Sequence, residues 1–276
     1  MIFRKSIVSL ILICLTSLAT STAEAKRILL LWQSPDGHPV NTHEYETGIK
    51  IIANWFHKNT EHQVIVSQAD EPWEEGPQLL NQADSVVMYL AQGAQWIRKQ
   101  PARLKAFQGY VAQGGGLCGL HWAIGSKRDE DIPDFVKLLG AIHGGSDRKY
   151  QFLKTEFRPA ANSHPIQHGL KPMTIEDEFY YRLKTVKSAT PVVPLMESLI
   201  EGEWYMTSWA WERPDGGRSF GFSGLHYHVN WGEENYRRLV FQGILWTLKE
   251  EIPPTGLTVD IDPAWLALPK RENAAK

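Results

Sequence analysis

The amino-terminal half of the chain alternates short apolar runs with segments of helical periodicity, and this alternation constrains the fold most strongly. The strand-like runs cover residues 27–32, 62–67, 85–90 and 117–120, and the first is typical of a strand buried on both faces of a sheet. Between them, apolar residues recur at helical spacing over residues 42–58 and 104–111. Strands that alternate with helices predict a parallel, doubly wound sheet, in which ligands bind outside the carboxyl ends of the strands.

The carboxyl-terminal half is richer in predicted strands. They are expected at residues 150–157, 179–183, 192–196, 204–211 and 218–222. An Asp-Gly-Gly sequence at residues 215–217 favours a hairpin turn between the last two. A closing helix is predicted over residues 233–250, and residues 251–276 form a proline-containing tail that we expect to lie over the surface. Without any internal repeat, residues 26–250 are predicted to form one α/β domain.

Residues 1–25 have the pattern of a secretory signal peptide. Two basic residues are followed by an apolar run over residues 7–18 and by a small-x-small cleavage site at residues 23–25. The apolar run is too short to cross a bilayer comfortably, so a retained membrane anchor is the weaker alternative. We expect the mature chain to begin at Lys26, to reach the periplasm or the medium, and to have no stable membrane insertion.

Charge and cysteine content exclude other classes of protein. The chain has 29 basic and 31 acidic residues, a net charge of −2, so no basic excess exists to neutralise nucleic-acid phosphates and no nucleic-acid partner is expected. Cys14 lies inside the predicted signal, which leaves Cys118 alone in the mature chain and makes an intrachain disulfide impossible. A chain of this length can be held by its core alone.

Polar and aromatic side chains follow four of the predicted strands. These residues are His38, His43, Gln92, His121, Trp122, His226 and His228. Because the carboxyl ends of parallel strands meet at one edge of a sheet, we expect several of these side chains to converge there. Imidazole is a general acid or base near neutral pH and the commonest metal ligand in proteins. For any single histidine, a surface or core position is the alternative interpretation.

Residues 119–123, Gly-Leu-His-Trp-Ala, have the pattern of a nucleophile elbow. Small flanking residues permit a sharp turn after the strand, and the turn pushes the middle side chain out over the sheet. That position holds His121, which we predict to be an exposed acid, base or metal ligand. Cys118 lies inside the strand and is predicted to be a small buried side chain, not a nucleophile.

Two adjacent carboxylates, Asp177 and Glu178, stand immediately before an aromatic strand. Alternation along a strand sends their side chains to opposite faces, so only one of them can point into a site. Glu178 is the preferred acidic residue of the site. A charge at an exposed strand edge is the alternative.

Five motifs carry a family resemblance. They are Gly-Gly-Gly-Leu-Cys-Gly-Leu-His-Trp-Ala at 114–123, His-Pro-Ile-Gln-His-Gly-Leu at 164–170, Asp-Glu-Phe-Tyr at 177–180, Gly-Phe-Ser-Gly-Leu-His at 221–226 and Arg-Leu-Val-Phe-Gln-Gly-Ile-Leu-Trp at 238–246. In this order they resemble the trehalose-utilisation (ThuA-like) family, a branch of the class I glutamine amidotransferase-like superfamily, over roughly residues 27–250. The resemblance implies a flavodoxin-like three-layer α/β/α sandwich with a mostly parallel central sheet.

The chain departs from the amidotransferase pattern at two positions. The resemblance places the nucleophilic cysteine of amidotransferases where this chain has His121, and the glutamate of their His-x-Glu pair where it has His228. Without the thiol and the glutamate, release of ammonia from glutamine is not expected. The family name implies a carbohydrate context, with disaccharides or their keto derivatives as substrates.

Three functional hypotheses follow. The first is an exported hydrolase, lyase or isomerase acting on a sugar or glycoside derivative. Its predicted catalytic residues are His121, Glu178, His226 and His228. Its predicted substrate-binding residues are His38, His43, Gln92, Trp122 and Trp231. The three histidines of the catalytic set are also candidate ligands for a divalent ion such as Zn²⁺, and no nucleotide cofactor is expected.

The other two hypotheses involve no catalysis. In the second, the protein binds a small carbohydrate without transforming it, and tryptophan rings stack on the sugar faces. The tryptophans considered for this role are Trp32, Trp122, Trp209 and Trp231. In the third, the chain is an interaction module that keeps an old enzyme scaffold.

Overall fold

The computed structural model of the protein describes residues 24–268, which contain twelve strands and six α-helices. The strands are β1 (Arg27–Trp32), β2 (Gln63–Gln68), β3 (Ser85–Tyr89), β4 (Gly116–Leu120), β5 (Gly125–Ser126), β6 (Ala141–Gly144), β7 (Lys149–Pro159), β8 (Met173–Tyr181), β9 (Lys184–Thr185), β10 (Val193–Ile200), β11 (Glu203–Glu212) and β12 (Arg218–Phe222). The helices are α1 (Tyr45–Asn59), α2 (Gly76–Leu80), α3 (Gly93–Lys99), α4 (Pro101–Ala112), α5 (Ile132–Leu139) and α6 (Glu234–Thr247).

Nine strands form one mixed sheet in the order β2-β1-β3-β4-β12-β11-β10-β7-β8. The first five are mutually parallel, whereas each later neighbour is antiparallel. The prediction of a mostly parallel sheet is therefore confirmed for the first five strands and not for the sheet as a whole. Tight turns after β10 and β11 explain the difference, because a short connection joins only antiparallel neighbours.

Alternation along the parallel strands builds a core on each side of the sheet. In β1, Ile28 and Leu30 belong to the cluster that contains α1 and α6, while Leu29 and Leu31 face α3, α4 and α5. All four side chains are fully buried. Complete burial of one such side chain contributes roughly 1.5–3 kcal/mol, which explains why the centre of β1 is apolar at four consecutive positions.

The segment after residue 250 packs against the helices of one layer. The indole Nε1 of Trp55 in α1 donates to the Thr258 carbonyl (3.3 Å), and Arg237 Nε in α6 donates to the Val259 carbonyl (2.6 Å). Val259 is buried in the same core as these helices. The predicted tail thus packs against α1 and α6 through residues 258 and 259.

The predicted signal peptide lies, up to residue 23, outside the described residues. Among the helices of residues 24–268, none has the length and apolar character needed to cross a bilayer.

Candidate functional site

The chain turns sharply at the end of β4, as the elbow pattern predicts. His121 adopts a left-handed backbone conformation (φ 49°) and begins a short 3-10 helix, His121–Ile124. Gly119 meets the need for a small residue before the turn, because a Cβ atom there would lie 2.7 Å from Leu139 Cδ2. The predicted exposure of His121 is wrong: its ring is completely buried. Neighbouring loops and β8 close over it.

Four buried side chains converge above this turn: His43, His121, Glu178 and His226. His43 comes from the loop after β1, His226 from the loop after β12, and Glu178 from the interior of β8. Their ligand atoms all lie within 4.8 Å of one another. The backbone N–H of His43 donates to the carbonyl of His226 (3.1 Å), so the two histidine loops are held against each other.

Hydrogen-bond partners define the tautomers of two of these histidines. His121 Nδ1 lies 2.9 Å from the Ser223 carbonyl, and His43 Nδ1 lies 2.7 Å from Asp36 Oδ2. Both partners are acceptors, so each Nδ1 carries the proton and each Nε2 of the neutral ring is a bare lone pair. The two Nε2 atoms face each other at 3.0 Å. Two lone pairs at this distance repel each other unless a cation lies beside them.

The remaining distances in the group also suit a metal ion. Glu178 Oε2 lies 3.0 Å from His226 Nδ1 and 3.5 Å from His121 Nε2, and the two histidine nitrogens are 3.2 Å apart. Two ligand atoms bound tetrahedrally to zinc at its usual bond lengths are separated by about 3.3 Å. Three imidazoles and one carboxylate are a donor set that zinc and similar divalent ions accept. These four residues therefore fit a divalent ion.

Asp36 orients His43 and is itself held by further hydrogen bonds. Asp36 Oδ2 also accepts a hydrogen bond from Tyr45 Oη (2.8 Å), and Asp36 Oδ1 contacts His38 Nδ1 (2.7 Å). Although burial alone would raise the pKa of Asp36, bonds from His43, Tyr45 and His38 hold that pKa well below its usual range. The carboxylate therefore stays charged and fixes the proton on His43 Nδ1, the arrangement typical of histidines that bind metals.

The side chain of Asp177 lies on the opposite face of β8. Its oxygens accept the backbone N–H groups of Leu225 (2.8 Å) and His226 (3.1 Å), which ties the loop after β12 to the strand that carries Glu178. Burial raises the pKa of Asp177 to about 6, in spite of these bonds. As predicted, the adjacent carboxylates diverge, with Glu178 in the group and Asp177 behind it.

Burial also sets the charge state of the groups nearest the centre. It lowers the pKa of His121 well below its usual range and lowers that of His43, and the neighbouring histidines add to the effect on His121. Burial and the charge of Glu178 raise the pKa of Tyr180 well above its usual value. At neutral pH the imidazoles of His43 and His121 are therefore neutral, and the Tyr180 hydroxyl keeps its proton.

A cavity of ≈ 200 Å³ opens onto this group. His43, Glu178 and Tyr180 form part of its wall, and His121 and His226 lie beneath. The other residues that line the cavity are His38, Trp122, Lys127, His143, Arg148, Tyr150 and Phe152. The cavity is smaller than the roughly 300–1,000 Å³ of sites for drug-sized ligands, so it suits a small molecule.

Several predicted site residues lie elsewhere. His228, predicted as a catalytic residue and metal ligand, is outside the group because its Nε2 contacts the Trp265 carbonyl at 3.0 Å. Trp231 and Trp209 are fully buried and have no face for a sugar, whereas Trp122 does line the cavity. Gln92 precedes α3 and is not part of the cavity wall. Trp32 is partly buried and packs against the core.

Other residues of the site were absent from the predicted set. The ring of Tyr180 stacks between His121 (4.9 Å between centroids) and His143 (3.9 Å). Tyr180 follows Glu178 by two positions, so strand alternation was a signal that could have placed both on one face. Asp36 lies two residues before His38, but no local pattern distinguishes a carboxylate that orients a histidine from one that faces solvent.

Cys118 confirms the prediction of a small buried side chain. It is fully buried inside β4, and burial raises the pKa of its thiol to about 12. The thiol is thus protonated at neutral pH and is a poor nucleophile.

Comparison with known proteins agrees with this architecture. A ThuA-like protein from Bacteroides uniformis superposes with a TM-score of 0.63 at 14% sequence identity, over 85% of this chain and 96% of that chain. Gan42B, a GH42 β-galactosidase, gives 0.53 at 10% identity, over 83% of this chain and 30% of that chain. The mmIFT52 N-terminal domain gives 0.51 at 11% identity, over 82% and 99%. At these identities the likeness concerns the fold alone.

The sequence itself gives the family. No curated protein matches it significantly. Residues 27–247, however, match the family described as Trehalose utilisation, ThuA. Because this match spans most of the chain, and a ThuA-like protein shares its fold, the protein belongs to the ThuA family.

Proposed function

We propose that the protein is a metal-dependent enzyme that acts on a sugar or glycoside derivative, including keto sugars, as a hydrolase, lyase or isomerase. The observation that carries the proposal is the pair of bare nitrogens, His43 Nε2 and His121 Nε2, facing each other at 3.0 Å beside Glu178 and His226. A divalent ion bound by these four residues supplies Lewis-acid chemistry, since it polarises an oxygen atom of the bound ligand. The carbohydrate context rests on the family match.

Residues of the cavity wall handle protons and hydrogen bonds. The Tyr180 hydroxyl lies 3.4 Å from Glu178 Oε2 and 3.2 Å from His121 Nε2, and it keeps its proton at neutral pH. It is therefore a hydrogen-bond donor to the ligand at the end of the cavity that holds Glu178. Burial lowers the pKa of His143 to about 3, so its neutral ring offers one donor and one acceptor to sugar hydroxyls.

Glutamine amidotransferase activity is not part of the proposal. The elbow position holds His121, and the neighbouring thiol of Cys118 is buried with a raised pKa. A thiolate nucleophile is therefore lacking at the place where that chemistry requires one. The five parallel strands with helices on both sides support a flavodoxin-like origin for this part of the fold. The pattern of residues 1–25 supports export.

Elemental analysis and metal titration test the proposal. Protein purified without chelator is expected to carry, or to take up, one equivalent of zinc or a similar divalent ion. Glu178→Gln and His226→Ala are expected to weaken metal binding strongly. The loss should exceed the factor of about 10–100 that follows removal of an outer-shell partner. His57→Ala is the matched control, because His57 is exposed on α1, far from the group in the fold.

Turnover assays on disaccharides and their keto derivatives then test catalysis. Metal-loaded wild-type protein is expected to transform at least one of them, and Glu178→Gln to be inactive on it. A chain that neither carries nor takes up a stoichiometric ion contradicts the metal part of the proposal. Sugar binding without turnover in the loaded protein would instead support the carbohydrate-binding alternative.

A further inference from the structure

Two cationic side chains on the cavity wall lack a carboxylate partner. Within residues 24–268, Lys127 and Arg148 line the cavity and neither forms an ion pair, although Arg148 donates to the Gly145 carbonyl (3.2 Å). Two nearby cations differ in this respect, because Arg128 pairs with Glu130 and Lys184 pairs with Asp147. The charges of Lys127 and Arg148 are thus available on the cavity wall.

These cations lie at the end of the cavity away from the metal-ligand group. Lys127 directly follows β5, and Arg148 lies between β6 and β7, so both flank the short sheet that carries His143. Tyr180 separates the rings of His143 and His121, with stacking distances of 3.9 Å and 4.9 Å. One small molecule can therefore contact the cations at one end and the Glu178 end of the cavity at the other.

Two exposed aromatic residues complete the wall. Tyr150 and Phe152 alternate on one face of β7, line the cavity, and are 50% and 52% exposed. The Phe152 ring is also 5.2 Å from the ring of His226. Aromatic rings that stay exposed at the mouth of a polar cavity offer an apolar surface to the C–H face of a sugar.

We propose that the cavity selects a single sugar ring that carries an anionic oxygen group, a carboxylate or a phosphate, with the anion bound by Lys127 and Arg148. The inference rests on the proposed function in taking the cavity as the substrate site. It narrows the substrate class, because a neutral sugar leaves both cations unpaired and the ≈ 200 Å³ of the cavity takes one ring of a larger glycoside. Guanidinium and ammonium groups bind such anions through charge-assisted hydrogen bonds.

Calorimetric binding of three probes tests the inference on the full mature chain. The probes are D-glucuronate, D-glucose 6-phosphate and D-glucose, each titrated into zinc-loaded and chelator-treated protein. At least one anionic probe is expected to bind about tenfold or more tightly than glucose, and whichever is tighter identifies a carboxylate or a phosphate site. Lys127→Met and Arg148→Met are each expected to reduce that affinity, and with it the preference for the anion over glucose, about tenfold.

Lys149→Met is the matched control. Lys149 is exposed at the start of β7, next to Arg148, but does not line the cavity. The inference is overturned if glucose binds as tightly as both anions, if no probe binds, or if the anion preference survives in the double variant of Lys127 and Arg148. One equivalent of zinc without an anion preference refutes this inference and leaves the proposed function intact. If the protein binds no zinc but still prefers anions through Lys127 and Arg148, the inference is supported and the metal site is refuted.

Discussion

Replacement of Asp36 by asparagine changes the proton position on a ligand histidine without touching the ligand itself. In the wild-type protein, the carboxylate accepts from His43 Nδ1 (2.7 Å) and from Tyr45 Oη (2.8 Å), and this keeps His43 Nε2 bare. An asparagine amide can donate to Nδ1, which allows the proton to move to Nε2. There it would donate to His121 Nε2, 3.0 Å away, and an incoming ion would have to displace it.

The expected cost is that of losing an outer-shell partner. Zinc affinity should fall about 10- to 100-fold, equivalent to about 1.4–2.7 kcal/mol of binding free energy. The fold should survive, because the Tyr45 hydroxyl, which contacts the same Asp36 oxygen as His43, can accept the second N–H of the asparagine amide. The same substitution stabilises the metal-free group, since an N–H···N hydrogen bond between His43 and His121 replaces two opposed lone pairs.

A competition titration against a chromophoric chelator, at a fixed pH near neutrality, measures this change. Asp70→Asn is the matched control, because Asp70 accepts hydrogen bonds from Ser34 and Gln68 in a neighbouring loop and contacts no ligand histidine. Thermal melts of both variants check that they are folded. If Asp36→Asn binds zinc as tightly as wild type and Asp70→Asn do, Asp36 does not orient His43 and the tautomer argument fails.

Three further predictions concern pH, the thiol and maturation. The pKa of His143 is lowered to about 3 by burial, so between about pH 6.5 and 3 the unfolded chain binds a proton that the folded chain does not. Wild-type stability should therefore lose about 1.4 kcal/mol per pH unit from this residue as pH falls, and urea unfolding of His143→Phe should show a shallower pH slope; identical slopes contradict this. Cys118→Ala should cost about 1 kcal/mol of stability in a melt and leave zinc affinity unchanged, and lost binding with an unchanged melt would restore a thiol mechanism. Native protein should begin at Lys26 and be recovered outside the cytoplasm, and amino-terminal sequencing that finds Met1 intact would refute the signal peptide.

The parallel part of the sheet was predictable because its determinants are local. A run such as Arg27–Trp32 is apolar at consecutive positions only when both faces are buried, and this holds for a strand between two helical layers. The antiparallel part was predicted as strands, but their order was not. The pairing of β7 with β10 joins Arg158 to Glu197 across 39 residues, and nothing near either residue specifies that partner.

In the candidate site, too, the residues that depend on local patterns were predicted and those that depend on long-range contacts were not. His121, His226 and Glu178 follow from strand ends and strand alternation, both of which are local patterns. His228 was predicted as a metal ligand in place of His43, because both histidines come from loops that follow a strand and so look alike in sequence. The choice between them depends on Trp265, whose carbonyl holds His228 away from the group from a segment 37 residues later.

The site combines residues from the parallel and the antiparallel parts of the sheet, and this dual origin accounts for its set of donor groups. The parallel strands β1 and β4, and the strand β12 that joins both parts, deliver neutral imidazoles from their carboxyl-end loops. The antiparallel strand β8 instead brings Glu178 and Tyr180 from its interior, where the ladder with β7 fixes both residues. Hydrogen bonds hold the imidazoles from their loops and the β8 ladder holds the carboxylate, so the four donor groups are positioned around one point before any ion binds.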